Sequence, residues 1–355
     1  MSKWMAFILS IFVSAQVGAA ALELIGTIPV VISSDNLNKS NLKQQELQTV
    51  FVQKIRLSTD AQKVLKERFE ELSSDLSEQA VSLANNVPEQ VNLGMNATPV
   101  LDQGVHGSCV TFAMTGALNA VLGKGDYISQ LCSLELGDYL QRHGRTEYSG
   151  WNGSFGTVVL NQLQDYGIVS KAYQKEFGCA GVKTYPLNNE KNTGKPMPIS
   201  EYSANATALS DFATWETLVD VEQAFTKNHN PVALLRAVKK NLREGKRIAF
   251  GMLLDESLGH AGALGTNQKG FDTWVLTPEI IKNAKNGKIQ AGHEMIIIGY
   301  DDKAVVRTKN GKISKGVFIL RNSWGKEVGD GGNFYISYGY FKALSNEAQV
   351  INPVN

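Results

Sequence analysis

Apolar and polar positions divide the chain into three stretches of different texture. The first opens Met1-Ser-Lys3, runs apolar from Trp4 to Ser14 and ends in the small residues Gly18-Ala-Ala-Ala21. A short cationic start, an apolar run and a small-residue exit predict a secretory signal peptide over 1–20, cleaved between Ala19 and Ala21. The run is too short to cross the ~30 Å of a bilayer's hydrocarbon. No membrane association is therefore expected after cleavage. The mature protein is expected to be secreted, extracellular or periplasmic, where disulfides persist.

The second stretch, 41–85, has neither Gly nor Pro and many charges. Leu47, Val50, Phe51 and Ile55 recur at steps of three and four, as do Leu65, Phe69, Leu72 and Leu76. That spacing predicts two amphipathic helices meeting near Leu57–Thr59, with Thr59-Asp-Ala-Gln62 as a capping box for the second. Residues 21–86 are accordingly expected to be a helical segment preceding the main domain.

From Val87 the texture is globular. Val110–Leu122 is apolar and alanine-rich, a buried helix. Residues 183–230 are polar and carry Pro186, Pro196 and Pro198, which predicts a surface insertion. Leu234–Arg243 has helical texture and Arg247–Leu254 that of a strand. Met295–Tyr300, Val317–Leu320 and Phe334–Ser337 are β-branched or aromatic runs of buried-strand type. The main domain is placed at 87–340, with a helical half over about 100–180, a β half over about 231–340, and 341–355 as a C-terminal tail. The fold class is α+β.

Composition narrows the function. Thirty-five Lys and Arg balance 34 Asp and Glu, a net charge of +1, so there is no basic surplus to displace counterions from a nucleic acid. The three cysteines, Cys109, Cys132 and Cys179, include no C-x-x-C pair, and no histidine pair has zinc spacing. No metal and no cofactor are expected.

Gln103-Gly-Val-His-Gly-Ser-Cys109 leads directly into the apolar helix. A cysteine there meets unpaired backbone N–H groups and the positive end of the helix dipole, both of which favour thiolate. His293, in Ala291-Gly-His-Glu294, stands at the mouth of an apolar strand. Asn322 and Trp324 stand at the exit of another, in Arg321-Asn-Ser-Trp-Gly325. A nucleophilic thiol needs a base, and the base needs a group to fix its tautomer; Cys, His and Asn fill these three roles. His106 lies too close to Cys109 on the helix-entry loop to serve as its base, and His143, His229 and His260 lie in polar or Gly-rich surroundings expected at the surface.

On these blocks, with Val87-Pro-Glu-Gln-Val91 and Thr98-Pro-Val-Leu-Asp-Gln-Gly104, the chain resembles the papain-like cysteine peptidases from Val87 to about Tyr340. The Gly-Tyr-Asp-Asp302 ending resembles that of bacterial members. The resemblance implies a helical subdomain and an antiparallel β-barrel-like subdomain with the active site in the cleft between them. It makes Cys109 the nucleophile in a thiolate–imidazolium pair with His293, Asn322 the orienter and Trp324 the shield of their bond. Gln103 and the backbone N–H of Cys109 would form the oxyanion hole. Gly153 and Ser154 would be the backbone strip that pairs with substrate, with Phe155 lining a pocket. Glu294 follows His293 where relatives carry a small residue, and is expected either to face the second substrate pocket, favouring basic side chains, or to turn to solvent.

Relatives also carry a disulfide whose two positions are here His106 and Trp151. With that staple gone, Cys109 stays free and Cys132 is expected to pair with Cys179. The resemblance further implies that 21–86 is a pro-region acting as an intramolecular inhibitor, although the spaced Glu/Arg/Phe/Asn pattern of typical pro-regions is missing. Protein or peptide substrates and a monomeric state are expected. Two other readings remain, a thiol acyltransferase or deamidase and an inactive peptidase-like binding protein. Retention of Gln103, Cys109, His293 and Asn322 together argues against the last.

Overall fold

The computed structural model describes residues 20–34, 46–74, 87–188, 195–258, 263, 272–307 and 313–354. The predicted signal peptide, Leu76 and His260 lie outside them, apart from Ala20.

The chain begins with an antiparallel hairpin of β1 (Leu22–Ser34) and β2 (Glu46–Leu57), which pairs Ile28 with Val52 and Val30 with Val50. Residues 47–55 are thus a strand, correcting the helix expected there. Val50, Val52, Ile55 and Leu57 are buried, and β-branched side chains facing β-branched partners stabilise a strand more than a helix. The second expected helix forms as α1 (Thr59–Ser74), burying Ala61, Leu65 and Phe69. Its first turn donates to the Ser58 hydroxyl, one residue before the Thr59 of the expected capping box.

After β3 (Gln90–Asn92) comes α2 (Cys109–Leu122), whose residues from Cys109 to Ala120 are all buried. A helix apolar all round belongs in a core, and α2 packs against the sheet, α3 (Gln130–Arg142) and α4 (Gly156–Tyr166). This half continues with the short β4 (Ile168–Val169), α5 (Lys171–Phe177) and α6 (Ile199–Ser203). The strand β5 (Ala206–Thr207) pairs with β4. Then follow β6 (Ala213–Val219), α7 (Val221–Ala224), α8 (Pro231–Arg243), β7 (Arg247–Leu254), β8 (Thr273–Trp274), α9 (Pro278–Lys285) and β9 (Ala291–Arg307). The chain closes with β10 (Ile313–Arg321), β11 (Asn333–Ser337), α10 (Tyr338–Leu344) and β12 (Ser345–Pro353).

The main sheet runs β6-β12-β7-β9-β10-β11-β8, antiparallel except between β11 and β8. It is an open path and not a closed barrel, and with the helical half it makes the expected α+β fold. β9 is its spine: besides β7 and β10 it receives β3 at Gly299–Asp301 and β2 at Ala291–Gly292.

Two boundaries are corrected. The stretch 341–355 is no tail, because β12 lies between β6 and β7 with Ala348, Val350 and Ile351 buried. Nor is 183–230 simply a surface insertion. It buries Met197, Tyr202 and Leu209 and supplies β6 to the sheet. Several of its apolar residues are buried among polar neighbours, which average composition hides.

Candidate active site

The loop into α2 is held by Asp102, whose Oδ1 accepts from the Gly104 N–H at 2.8 Å. Gly104 adopts φ +57°, and a Cβ there would lie 1.9 Å from the Leu187 carbonyl oxygen, so only glycine fits. Cys109 opens α2, buried and free. The Ser108 side chain does not cap the helix but hydrogen-bonds the Tyr185 hydroxyl at 2.9 Å. The first-turn amides are thereby left without a side-chain acceptor next to the thiol.

Opposite this helix end, β9 carries His293 and β10 delivers Asn322. His293 Nε2 lies 2.8 Å from Asn322 Oδ1. That oxygen also accepts from the Ser323 N–H at 2.7 Å, so Nε2 must carry the ring proton. His293 Nδ1 is then the basic nitrogen, and it is buried with no hydrogen-bond partner. Trp324 stacks on the imidazole with centroids 4.5 Å apart and planes at 21°, covering the histidine–asparagine bond. Gln103 is locked to the same segment: its N–H donates to the Ser323 carbonyl at 2.8 Å and its Oε1 accepts from the Ser323 hydroxyl at 2.8 Å. The fold thus brings Gln103, Cys109, His293 and Asn322 to one place, with the cysteine sulfur hydrogen-bonded to the backbone of Glu294, the residue after His293.

Burial dominates the electrostatics. It pushes the Cys109 thiol up to about 12, reinforced by the Glu294 and Glu347 carboxyls and opposed by backbone hydrogen bonds from Glu294 and Val110. It pushes His293 down to about 4, against its bond to Asn322. Burial thus favours the neutral form of both groups while the site is covered. Removing two charges from water costs more than their attraction returns while the site is covered.

The cover is the N-terminal hairpin. The Phe51 carbonyl of β2 accepts from Gln103 Nε2 at 3.2 Å, a donor shared with the His106 carbonyl at 2.8 Å. Two residues on, Gln53 Nε2 donates to the Ser154 carbonyl at 2.8 Å. Gln53 and Lys54 pair with Gly292 and Ala291, and the Ile55 N–H donates to the Gln290 carbonyl at 2.8 Å. β2 therefore crosses from the Gly153–Ser154 strip to the strand bearing His293. β1 adds to it: a Cβ on Gly107 would meet Thr27 Cγ2 at 2.4 Å, and one on Gly153 would meet Leu24 Cδ1 at 3.3 Å.

The remaining predicted residues divide. Phe155 caps α4 and packs edge-on to Tyr148 at 5.2 Å. Glu294 does not turn to solvent. It is 2% exposed and hydrogen-bonded to Glu347 of β12. Glu347 was missed because it lies in the presumed tail and nothing local to it signals a site. His106 Nε2 lies 2.7 Å from the Pro186 carbonyl oxygen. The His106 ring meets Trp151 at 4.9 Å, so the two positions of the absent disulfide are joined by a ring contact. Cys132 and Cys179 form a disulfide with Cα atoms 5.0 Å apart. His143 stacks on Tyr139. His229 is half-buried rather than a surface residue, with an unpartnered Nε2.

Residues 261–354 match the model of the papain family of cysteine proteases, which bears out the resemblance. The matched stretch holds His293, Asn322 and Trp324, while Cys109 and Gln103 lie upstream and are brought to it by the fold. Among solved structures, the chain is similar to xylellain, a cysteine protease from Xylella fastidiosa, at 19% identity over 79% of this chain and 90% of that one, TM-score 0.48. It is also similar to digestive procathepsin L 3 of the Tenebrio molitor larval midgut, at 16% identity over 83% and 91%, TM-score 0.46. A third is the Amb a 11 ragweed pollen cysteine protease in its proform, at 17% identity over 78% and 67%, TM-score 0.43. No curated protein sequence matches the chain.

Proposed function

We propose that this chain is an exported cysteine endopeptidase made as an inhibited zymogen, in which the segment from β1 to α1 covers the active site. The observation that carries the reading is the pair of bonds made by one amide: Gln103 is held by Ser323, beside Asn322, while its Nε2 binds a peptide carbonyl, that of Phe51. A donor held in place and aimed at a carbonyl oxygen is what acyl transfer requires of an oxyanion hole.

Once the hairpin leaves, water re-enters and the charged pair becomes accessible. Cys109 loses its proton to His293 Nδ1, and the thiolate attacks the substrate's carbonyl carbon. The negative charge that develops on the carbonyl oxygen is held by Gln103 Nε2 and the Cys109 N–H. His293 returns the proton to the departing amine as the C–N bond breaks, leaving a thioester on Cys109. Water, deprotonated by His293, then attacks the thioester, and the thiol leaves with the acid as second product. Asn322 holds the ring throughout and Trp324 keeps water from their bond. The Gly153–Ser154 strip would pair with substrate backbone as it now binds Gln53, and Phe155 would border the second pocket, while the Glu294 carboxyl is turned inward onto Glu347. No metal or cofactor enters these steps.

Intact-mass labelling with iodoacetamide at pH ~6, where an ordinary thiol with a pKa of about 8.5 hardly reacts, tests this reading. Single labelling that is lost in Cys109→Ser, slowed in His293→Ala and accelerated on removal of the hairpin is expected. Equally slow labelling with the hairpin present or removed would instead favour an inactive, peptidase-like binding protein.

A further inference from the structure

Beneath the candidate nucleophile lie two carboxyls for which the steps above have no use. Glu294 and Glu347 are 2% and 3% exposed, and they are hydrogen-bonded to each other. The Glu347 carboxylate also accepts from the Gly156 N–H at 2.9 Å and from Gln349 Nε2 at 3.0 Å. Gly156 is the first residue of α4 and directly follows Ser154 and Phe155, so Glu347 grips the helix end on which the strip stands. Glu294 completes the chain on the other side, because its backbone is bonded to the Cys109 sulfur. Gly251 of β7 makes room for the pair: a Cβ there would lie 2.7 Å from Glu294 Oε2, 2.9 Å from Glu347 Cγ and 2.5 Å from Asn346 Oδ1.

We propose that Glu347 is a positioning residue that, through a proton held by Glu294, ties the substrate strip at 153–156 to the nucleophile. The inference rests on the peptidase reading for its catalytic consequence but not for its geometry. Two buried carboxylates cannot sit in contact unless one of them keeps a proton. Burial and the neighbouring Glu347 charge hold the Glu294 proton well above the usual carboxylate range. Glu347 rises only to about 7, because Gly156, Gln349 and Glu294 all stabilise its anion. Glu294 is thus the O–H donor and Glu347 the acceptor. Of the other titratable groups around the pair, Asp220, ahead of α7, opposes the Glu347 charge, while Cys109 of α2 is itself raised by both carboxyls. His293 adjoins Glu294 on β9 but directs its ring to Asn322. The tie holds while Glu294 is protonated and fails in alkaline solution, when both carboxyls are charged.

The test uses the protein activated from the full-length chain by proteolytic release of the hairpin, with a quenched fluorescent peptide, iodoacetamide and amide hydrogen exchange of the peptide spanning 153–166. Glu347→Ala is expected to raise KM about tenfold, with kcat changed less than about threefold and Cys109 labelling unchanged within about twofold. Glu294→Gln keeps a permanent donor to Glu347. It should retain the wild-type KM and abolish the alkaline rise in KM, whereas Glu294→Ala should behave as Glu347→Ala does. An unchanged KM in Glu347→Ala, or an alkaline limb that survives in Glu294→Gln, overturns the proposal. If Glu347→Ala does not fold, the pH profile of Glu294→Gln decides alone. If the activated wild-type protein labels at Cys109 but cuts no peptide, the peptidase reading fails and exchange takes over the test. Exchange of 153–166 at least tenfold faster in Glu294→Ala and unaltered in Glu294→Gln supports the tie, and equal exchange in all forms refutes it.

Discussion

Arg68 of α1 is the point at which the cover can be loosened without touching the active site. Its side chain is buried, and it donates through Nη1 to the Ala343 carbonyl at 3.1 Å and through Nη2 to the Ala224 carbonyl, with the guanidinium 5.8 Å from the Phe225 ring centroid. Burial lowers its pKa to about 10, with Glu71 opposing the shift, so it stays charged at neutral pH. Each hydrogen bond from a charged donor contributes roughly 1.5–3 kcal/mol. Arg68→Ala should therefore weaken docking of α1 by about 3 kcal/mol, at the lower end of that sum because water can reach the vacated carbonyls. Because α1 follows β2 after a single residue, freeing the helix should free the hairpin. At about 1.4 kcal/mol per tenfold, the open population rises about a hundredfold. Labelling of Cys109 by iodoacetamide reads that population directly when closing is faster than alkylation. A hundredfold faster rate at pH ~6, absent in Arg68→Ala combined with Cys109→Ser and intermediate in Arg68→Lys, is expected. A rate within twofold of wild type, together with a lowered Tm, would show that α1 opens without the hairpin and refute the coupling.

Gln103→Ala removes the proposed oxyanion donor and should lower kcat of the activated protein by about 10²–10³-fold, measured against a fluorogenic peptide with Cys109 labelling as the control for folding. The disulfide closes a sequence separation of 47 residues. Cys132→Ser with Cys179→Ser should then cost about 4 kcal/mol in the chain-entropy view, and a calorimetric Tm within about 2 °C of wild type would reject that figure. Burial holds His293 down to about 4 while the hairpin is in place. A group whose folded pKa is depressed through burial of its neutral form favours the closed state at pH above that of the open imidazole, ~6.5. That stabilisation is lost as pH falls from about 6.5 towards 4. Labelling of Cys109, corrected for the reagent's intrinsic pH dependence, should accordingly rise over that interval in wild type and stay flat in His293→Ala.

The blocks of the candidate site were legible because each is local. A Gly-rich loop running into an apolar helix, a histidine at a strand mouth and an asparagine at a strand exit are set by residues within a few positions of one another. α2, α8, β7 and the centres of β9, β10 and β11 follow from periodicity of the same short range. The free Cys109 and the Cys132–Cys179 pairing followed from three cysteines and a family resemblance, and the structure bears them out.

Only the tertiary structure decided the rest. Positions 47, 50, 51 and 55 fit a helical face, but Val52 and Leu57 are buried beside Val50 and Ile55 while Phe51 is not, and the choice was made by β1 and β9, which lie beside them only after folding. The β12 segment was read as a tail because a nine-residue run carrying Asn346, Glu347 and Gln349 looks solvated until its strand partners β6 and β7 and the Gly156 and Gln349 donors to Glu347 are known. Phe51 on Gln103, Arg68 on Ala224 and Ala343, and Glu347 on Gly156 join residues separated by 52, 156, 275 and 191 positions. Short-range pattern specifies which elements form and where reactive groups stand at their ends. Whether those groups are covered, charged or tied together depends on desolvation and on hydrogen-bond partners that the chain supplies from a distance.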